Sequence, residues 1–259
     1  MKRLFKISLL AVALISFNKA DAQKTEVMFY TTMGNITVSL TDSLTPRTVD
    51  SFLSLVSKKF YDGLLFHRVI NGFMIQGGDP NGNGTGGPGF QIPDEFHPSL
   101  KNMQGALAMA NSGPNTNGSQ YYINLVDNNY LDGHYTVFGM VTNNFNVVQN
   151  IGKVPTVPGD KPVTDVKTDS IRITKFPMAG NIEMWKSIHF SSQTSNGIFT
   201  VDLPKTSTKV EVMNLSGQLV FNSEAKRSLK IDISNQPIGL YSVRLTNTQG
   251  TAETKVIKQ

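Results

Sequence analysis

The sequence predicts a mainly β protein built from two parts. Its 22 glycines in 259 residues indicate many turns, which a chain of short strands requires. Short runs rich in β-branched and aromatic residues recur along the chain, and only two stretches have helical periodicity. Many short strands with two helices favour a closed antiparallel barrel or a sandwich for residues 25–176. Residues 190–259 have almost no helical periodicity, and their evenly spaced strand candidates favour a small β-sandwich.

The elements of the first part can be predicted in order. Two strands are expected at residues 26–32 and 35–40, on either side of a short turn. A helix follows, because Thr45 suits an N-cap, Pro46 suits the first turn, and apolar residues then recur at helical spacing from Val49. The remaining predicted elements are strands at residues 64–66, 73–76, 106–110, 121–125, 135–141 and 170–176, and a second helix at Phe145–Ile151.

The second part follows a predicted linker at residues 177–189. Turn signals such as Ser216-Gly217 and Gln249-Gly250 separate its runs of β-prone residues. The predicted strands cover residues 197–203, 209–215, 218–221, 229–233, 240–246 and 254–258. We therefore expect a separate β domain over residues 190–259.

The first 22 residues are arranged like a secretory signal peptide. Lys2, Arg3 and Lys6 precede an apolar run at residues 9–17, and residues 20–22 (Ala-Asp-Ala) supply a small-x-small cleavage pattern. The apolar run is too short to span a bilayer, and no other stretch has the pattern of a membrane helix. We expect residues 1–22 to be removed, which leaves no membrane span.

Composition argues against several classes of function. Residues 1–22 hold +3 of the formal net charge of +5, so the remaining chain is only weakly basic and no nucleic-acid partner is expected. The four histidines lack paired metal-ligand spacing and there is no cysteine, so neither a metal ion nor a cofactor is expected. Residues 82–87 match GxGxxG, but no strand–loop–helix pattern surrounds them, and we interpret them as a surface loop.

One arginine lies among apolar neighbours. Arg68 belongs to FHRVINGFMIQGGD (residues 66–79), near Phe66, Phe73 and Met74. An arginine in such a setting usually has a packing or ion-pair role, and a catalytic role is the alternative. The polar turn NSGPNTNGSQ (residues 111–120) lies between two apolar runs and, from its composition alone, is an ordinary loop.

Four motifs of the first part resemble the cyclophilin family of peptidyl-prolyl isomerases. They are FHRVINGFMIQGGD (66–79), NGTGG (83–87), AMANSGPNTNGSQYYI (108–123) and LDGHYTVFG (131–139), in family order and spacing. The resemblance covers the whole first part and assigns residues 23–176 to one isomerase domain. It implies an eight-stranded antiparallel barrel capped by two helices, with a peptide groove on its surface and a pocket for the proline ring.

The resemblance also implies roles for individual residues. Arg68 matches the catalytic arginine of the family. Pocket walls are implied for Phe73, Met74 and Leu131, and peptide-holding roles for Gln76, Ala110, Asn111 and Gln120. The sequence departs from the best-known eukaryotic pattern at three pocket positions, where Phe, Trp and His are replaced by Tyr122, Tyr130 and Tyr135. Aromatic character persists, so activity is expected, whereas the missing indole donor argues against tight cyclosporin binding.

The second part resembles the C-terminal sorting domains of type IX secretion. The matching segments are GIFTVDLP (197–204), KVEVMNLSGQLVF (209–221), IDISNQPIGLYSVRL (231–245) and KVIKQ (255–259). The resemblance implies a small Ig-like β-sandwich and an encounter with the type IX secretion machinery. The expected location is therefore outside the cell or on its surface, with the periplasm as the alternative.

Together these patterns predict a peptidyl-prolyl cis/trans isomerase that acts on exported or surface proteins. Its expected partners are proline-containing peptides, unfolded or surface proteins, and the type IX machinery. The alternative is a non-catalytic module that binds proline-containing segments, as in an adhesin-like surface protein. The presence of Arg68, Phe73 and Gln76 favours the enzyme.

Overall fold

The computed structural model describes residues 24–176, 179–180, 188–191 and 194–259, with the backbone alone at residues 179, 180 and 194. The predicted signal peptide (residues 1–22) and most of the predicted linker (residues 177–189) lie outside the described residues. In the part that is described, no helix is long and apolar enough to cross a membrane.

Residues 24–176 contain nine strands, two α-helices and one 3₁₀ helix. In chain order they are β1 (Glu26–Thr31), β2 (Gly34–Leu40), α1 (Pro46–Ser57), β3 (Leu64–Leu65), β4 (Arg68–Ile70), β5 (Met74–Gly77), β6 (Ala106–Met109), β7 (Tyr121–Asn124), the 3₁₀ helix (Asn129–Leu131), β8 (Val137–Asn143), α2 (Phe145–Ile151) and β9 (Lys167–Lys175). The mainly β fold with two helices is confirmed.

The nine strands form one antiparallel sheet in the order β3-β9-β1-β2-β8-β6-β7-β5-β4. Strands β3 and β4 lie at opposite ends of this order although only Phe66 and His67 separate them in the chain. The sheet must therefore curl until its two ends approach each other, which gives a barrel-like shape. The structure has nine strands where eight were expected. The segment at residues 64–70 contributes two short strands, of which β3 pairs with β9 and β4 pairs with β5.

The two faces of the curled sheet carry different side chains. Alternate residues of a strand point to opposite faces, so Ile75 and Ile123 join the main core while Met74 and Tyr122 join a smaller cluster on the other face. The main core also receives the apolar side of α1, including the buried side chain of Phe52. The smaller cluster therefore forms on the outer surface of the barrel.

Helix α1 begins differently from the prediction. Thr45 occupies the N-cap position, but its hydroxyl shares a 2.7 Å hydrogen bond with the hydroxyl of Thr41 and caps no helical N–H. The carboxylate of Glu95 takes over that role, because it accepts the backbone N–H groups of Arg47 at 3.2 Å and Thr48 at 2.7 Å. A carboxylate at this end also interacts favourably with the helix dipole.

The rest of the described chain forms a second unit of two sheets. Its strands are β10 (Ala179–Gly180), β11 (His189–Phe190), β12 (Thr194–Ser195), β13 (Ile198–Asp202), β14 (Thr208–Asn214), β15 (Leu219–Ala225), β16 (Ser228–Asp232), β17 (Gly239–Asn247) and β18 (Gly250–Lys258). One sheet has the order β10-β18-β17-β14-β15 with β12 parallel to β18, and the other has the order β11-β13-β16. Phe199 and Ile231 of the smaller sheet share a buried cluster with Val212 and Val243 of the larger one. The unit is thus a β-sandwich, and its Ig-like character stays a prediction.

The sandwich packs against helix α1 of the first unit. Tyr241 and Val243 point into the sandwich, so their neighbour Leu240 points out of it, opposite Ile257 of β18. The side chains of Leu240 and Ile257 are only 2% and 3% exposed, and both pack into the main core cluster of the first unit. Lys255 of β18 also forms an ion pair with Asp50 of α1. We name the contact made by Asp50, Leu240, Lys255 and Ile257 the docking contact.

Candidate active site

Arg68 lies at the start of a row of residues that crosses four strands. It is directly opposite Gln76, which is opposite Tyr122, which is opposite Ala108. Directly opposed residues share a face of the sheet, and neighbouring strands are about 4.8 Å apart, so Arg68 and Tyr122 are separated by about 10 Å. This row places a cationic group beside the outer cluster.

The guanidinium of Arg68 is fixed at one nitrogen. Its Nε donates to Oδ2 of Asp160 at 3.3 Å, and the side chain remains 43% exposed. The backbone N–H of Val69 donates to the carbonyl of Asp160 at 2.8 Å, which fixes the loop that carries this carboxylate. Among the described residues, Nη1 and Nη2 of Arg68 have no hydrogen-bond partner. Two rigid donors therefore face solvent next to the outer cluster.

The outer cluster is an apolar pocket. Its buried members are Met74, Ala106, Ala108, Tyr122 and Val137, and Phe73, Ala110, Leu131 and Tyr135 pack against them. Tyr122 and Tyr135 meet edge to face, with ring centroids 5.8 Å apart. The structure thus brings together six of the residues predicted for the site: Phe73, Met74, Ala110, Tyr122, Leu131 and Tyr135.

Tyr130 takes a different position from the other predicted pocket residues. Its side chain is 69% exposed, and its ring stacks on Phe73 with centroids 6.3 Å apart. Tyr130 can therefore cover the rim of the pocket without lining its floor. His134 makes no side-chain contribution to this cluster, and its backbone N–H donates to the carbonyl of Leu131 at 3.1 Å.

A polar groove runs beside the pocket, lined by Gln76, Ala110, Asn111 and Gln120 on one side. Nε2 of Gln76 donates to Oε1 of Gln120 at 3.0 Å. Nε2 of Gln120 in turn donates to the carbonyls of Gly84 at 3.0 Å and Gly86 at 2.9 Å. The glycine-rich loop at residues 82–87, expected to be a plain surface loop, therefore contacts Gln120 and lines the same groove.

Asn111 presents free backbone groups to the groove. Its side-chain Nδ2 donates to the carbonyl of His134 at 2.9 Å, and its Oδ1 accepts the N–H of Gly113 at 3.2 Å. These two bonds fix the side chain, whereas the backbone N–H and C=O of Asn111 have no hydrogen-bond partner among the described residues. Unpaired backbone groups beside a groove can pair with an extended peptide as an added strand.

The glycine-rich loop is held by a buried carboxylate. Asp79 is 1% exposed and accepts the N–H groups of Asn81, Asn83 and Gly84 at 2.9, 2.9 and 2.5 Å. Burial raises the pKa of the Asp79 carboxyl, but these three donors outweigh that effect and the pKa is lowered. The carboxylate therefore stays ionised and holds the backbone of the loop in place beside the groove.

His67 lies behind Arg68 and faces the same carboxylate. It is 6% exposed, and neither ring nitrogen has a hydrogen-bond partner in the described part of the chain. Burial lowers the pKa of His67 from 6.5, Asp79 acts in the opposite direction, and Arg68 adds to the decrease. His67 is therefore a buried, neutral imidazole that lies behind Arg68.

Gly86→Ala is expected to weaken peptide binding. A Cβ at Gly86 would overlap the Asp79 carboxylate, so the loop must move and Gln120 loses a carbonyl acceptor. We expect KM for a proline peptide to rise by about five- to tenfold and kcat to change little, because Arg68 is untouched. Gly87→Ala is the matched control, since a Cβ there meets nothing within 4 Å. Equal KM values for the two variants in a peptide isomerisation assay would contradict this account of the loop.

Several groups at the site have no sequence signal. Asp160 lies 92 residues beyond Arg68, and no spacing or motif connects the two. The loop carbonyls of Gly84 and Gly86 act through their backbone, which residue types do not reveal. The glycine content of residues 82–87 and the family motif NGTGG (83–87) marked this loop, but neither indicated that its carbonyls accept hydrogen bonds from Gln120.

Two family models match the chain. The model described as cyclophilin type peptidyl-prolyl cis-trans isomerase/CLD matches residues 26–173. The model described as secretion system C-terminal sorting domain matches residues 195–259. The two matches fall on the barrel and on the sandwich, respectively.

Known proteins are similar over the barrel. Peptidyl-prolyl cis-trans isomerase-like 1 of Neurospora crassa is 45% identical over 155 residues, which are 58% of this chain and 95% of the relative. Peptidyl-prolyl cis-trans isomerase CYP18-1 of Arabidopsis thaliana is 44% identical over 60% of this chain and 99% of its own length. A crystal structure of a Cryptosporidium parvum cyclophilin type peptidyl-prolyl cis-trans isomerase has a TM-score of 0.58 at 34% identity and covers 59% of this chain and 98% of its own. The same isomerase in the presence of the dipeptide Ala-Pro has a TM-score of 0.57 at 35% identity, with coverages of 58% and 99%.

A curled sheet with an arginine beside an outer apolar pocket, together with these matches, defines the protein as a peptidyl-prolyl cis-trans isomerase. The chain belongs to the cyclophilin family. It also carries a C-terminal sorting domain of the type IX secretion system. Both predicted identities, and the enzymatic function, are confirmed.

Proposed function

We propose that Arg68 is the catalytic residue and that the pocket and groove described above bind the X–Pro segment. An X–Pro amide has partial double-bond character and a rotation barrier of about 18–20 kcal/mol. At the twisted transition state the nitrogen becomes pyramidal and gains a lone pair. A donor aimed at that nitrogen stabilises the transition state more than the planar ground state, and only such a differential interaction accelerates the reaction.

The two free Nη groups of Arg68 suit this role. A guanidinium stays charged at every physiological pH and holds its donors in a rigid plane. One Nη can donate to the proline nitrogen while the other donates to a neighbouring carbonyl of the substrate. Because Nε is already bound to Asp160, the plane of donors has a fixed orientation before the peptide arrives.

The apolar pocket has a separate task. Phe73, Met74 and Leu131, with Tyr122 at the floor, hold the proline ring still while the rest of the peptide rotates. An apolar environment also favours the twisted amide, which is less polar than the planar form. A decrease of about 7 kcal/mol in the barrier corresponds to roughly five orders of magnitude in rate.

The polar groove would hold the residues that flank proline. Backbone groups of Asn111 can pair with the substrate backbone, while Gln76, Gln120 and Ala110 position the neighbouring peptide units. Recognition through backbone groups depends little on the substrate's side chains. This favours a broad range of client proteins that share an accessible X–Pro bond.

The observation that carries the proposal is the row formed by Arg68, Gln76 and Tyr122, which places free guanidinium donors beside the apolar pocket. The test is exchange spectroscopy on an Ala-Pro-containing peptide with the full chain. We expect faster cis/trans exchange and unchanged populations of the two isomers, since a catalyst alters rates alone. Binding of the peptide without faster exchange would favour the binding module instead.

We further propose that the isomerase works outside the cytoplasm. Residues 1–22 would direct the chain across the inner membrane, and the sorting domain would engage the type IX machinery for export to the cell surface or the medium. Unfolded or surface proteins rich in exposed X–Pro bonds are then the clients. Isomerisation there takes tens to hundreds of seconds without a catalyst, which is slow enough to limit folding.

A further inference from the structure

The hydroxyl of Tyr122 enters the polar interior beneath the proline pocket. Tyr122 is 4% exposed, and its Oη donates to Oδ1 of Asn102 at 2.6 Å. Burial raises the pKa of the Tyr122 phenol strongly, and the nearby Tyr135 adds to the increase. The phenol therefore stays protonated and always needs an acceptor.

Asn102 is held firmly on three sides. Its side chain is fully buried, and its backbone N–H donates to Oδ1 of Asp132 at 2.8 Å. Its carbonyl accepts the N–H of Asn128 at 2.7 Å, and its Oδ1 also accepts Nδ2 of Asn124 at 3.3 Å. The acceptor offered to Tyr122 therefore has one fixed position.

The same amides reach two other walls of the pocket. Nδ2 of Asn128 donates to the carbonyl of Phe73 at 3.1 Å and to Oδ1 of Asn124 at 2.7 Å. The carbonyl of Asn128 accepts the N–H of Leu131 at 2.9 Å. We name Asn102, Asn124 and Asn128 the asparagine network. It connects the floor of the pocket to both of its sides.

We propose that Asn102 is a positioning residue, which acts through the Tyr122 hydroxyl to fix the tilt of the Tyr122 ring and so the depth of the proline pocket. Without Oδ1 of Asn102, the buried phenol must turn towards another acceptor or towards water, and the ring then intrudes on the space for proline. This inference rests on the proposed binding of proline in the pocket, and it concerns substrate binding and not the donors of Arg68.

The first test is Asn102→Ala in the full chain, with KM and kcat measured on an Ala-Pro peptide. We expect KM to rise about tenfold, the size expected when a buried hydroxyl loses its only acceptor. We expect kcat to change less than about threefold, because Arg68 lies two strands from Tyr122 and keeps its donors. Asn222→Ala, at an exposed position of the sandwich, is the matched control and should leave both constants unchanged.

The second test separates positioning from a general structural role. Tyr122→Phe removes the hydroxyl, so Asn102 then has no phenol to hold. If Asn102 acts through that hydroxyl, KM of the double variant should be within about twofold of KM of Tyr122→Phe alone. A structural role unconnected with Tyr122 would instead raise KM by the same factor in both backgrounds.

Each outcome decides the proposal. An unchanged KM for Asn102→Ala overturns it. The proposal is also overturned if Asn102→Ala raises KM by the same factor in the Tyr122→Phe background as in the original protein. If Asn102→Ala alone yields no folded protein, recovery of folded, active protein by adding Tyr122→Phe supports the proposal, and failure to recover overturns it. Absence of isomerisation by the unsubstituted chain would contradict the proposed function instead, so the two failures are distinguishable.

Discussion

Arg68→Ala should lower kcat/KM for a proline peptide by about 10²- to 10³-fold, the loss seen when one preorganised transition-state donor is removed. The physical reason is that Nη1 and Nη2 of Arg68 lie beside the pocket with no hydrogen-bond partner among the described residues, whereas Nε is bound to Asp160. The pocket walls are untouched, so most of the loss should appear in kcat. Single-turnover or exchange measurements on an Ala-Pro peptide would determine the two constants.

Two controls separate catalysis from folding. Arg47→Ala removes an exposed arginine of the same barrel and should leave kcat/KM unchanged. Arg68→Lys keeps the charge but loses the planar fork, so it should recover little of the activity. Thermal unfolding of Arg68→Ala should stay near that of the original protein, because the side chain is 43% exposed and its ion pair contributes little to stability. A loss of activity below about threefold would contradict the assignment of Arg68.

Deleting residues 190–259 should abolish export across the outer membrane. The sorting domain, at residues 195–259, lies within this segment, so the deletion removes the part of the chain that matches a secretion signal. We expect the shortened protein to accumulate in the periplasm of a host that has type IX machinery, provided that residues 1–22 act as a signal peptide. Cell fractionation with an isomerase assay on each fraction would measure the distribution.

The deletion also removes the docking contact, so it needs a control for protein stability. Removing the sandwich uncovers the surface of α1 that Leu240 and Ile257 cover, so a loss of the protein could come from lower stability. Asp50→Ala breaks the ion pair with Lys255 but keeps the sorting domain, and this variant should be exported normally. Isomerase activity in the periplasmic fraction would show that the shortened protein is folded. Unchanged export of the shortened protein would contradict the sorting role.

Local sequence patterns predicted the elements better than they predicted the contacts between distant elements. Helix α2 at Phe145–Ile151 has the predicted ends, and the apolar spacing from Val49 gave the buried side of α1. Residue type alone suggested Thr45 as the cap of α1, but the chain brings Glu95 to that end from nearly fifty residues away. Helix and capping propensities depend on a residue and its neighbours in sequence, so they cannot predict a hydrogen-bond partner that tertiary folding brings from a distant segment.

The candidate site shows the same limit. The apolar neighbours of Arg68 alone favoured a packing or ion-pair role. Only the resemblance of the surrounding motifs to the cyclophilin family indicated catalysis. Neither Asp160 nor the carbonyls of Gly84 and Gly86 could be predicted, because one pairs across 92 residues and the others act through backbone atoms. Tyr122 was predicted as a pocket residue, but the acceptor beneath it, Asn102, depends on a loop whose course the sequence does not reveal.

The alternation of pocket and core side chains along β5 and β7 has a consequence for refolding. Met74 and Tyr122 face outward, while their neighbours Ile75 and Ile123 face the core. A slip of one residue in the pairing of either strand would exchange these two sets, so a misregistered sheet would lose its pocket although it kept its strands. After refolding, the recovered activity therefore measures the fraction of chains with native strand register, whereas circular dichroism measures the β-structure of all chains.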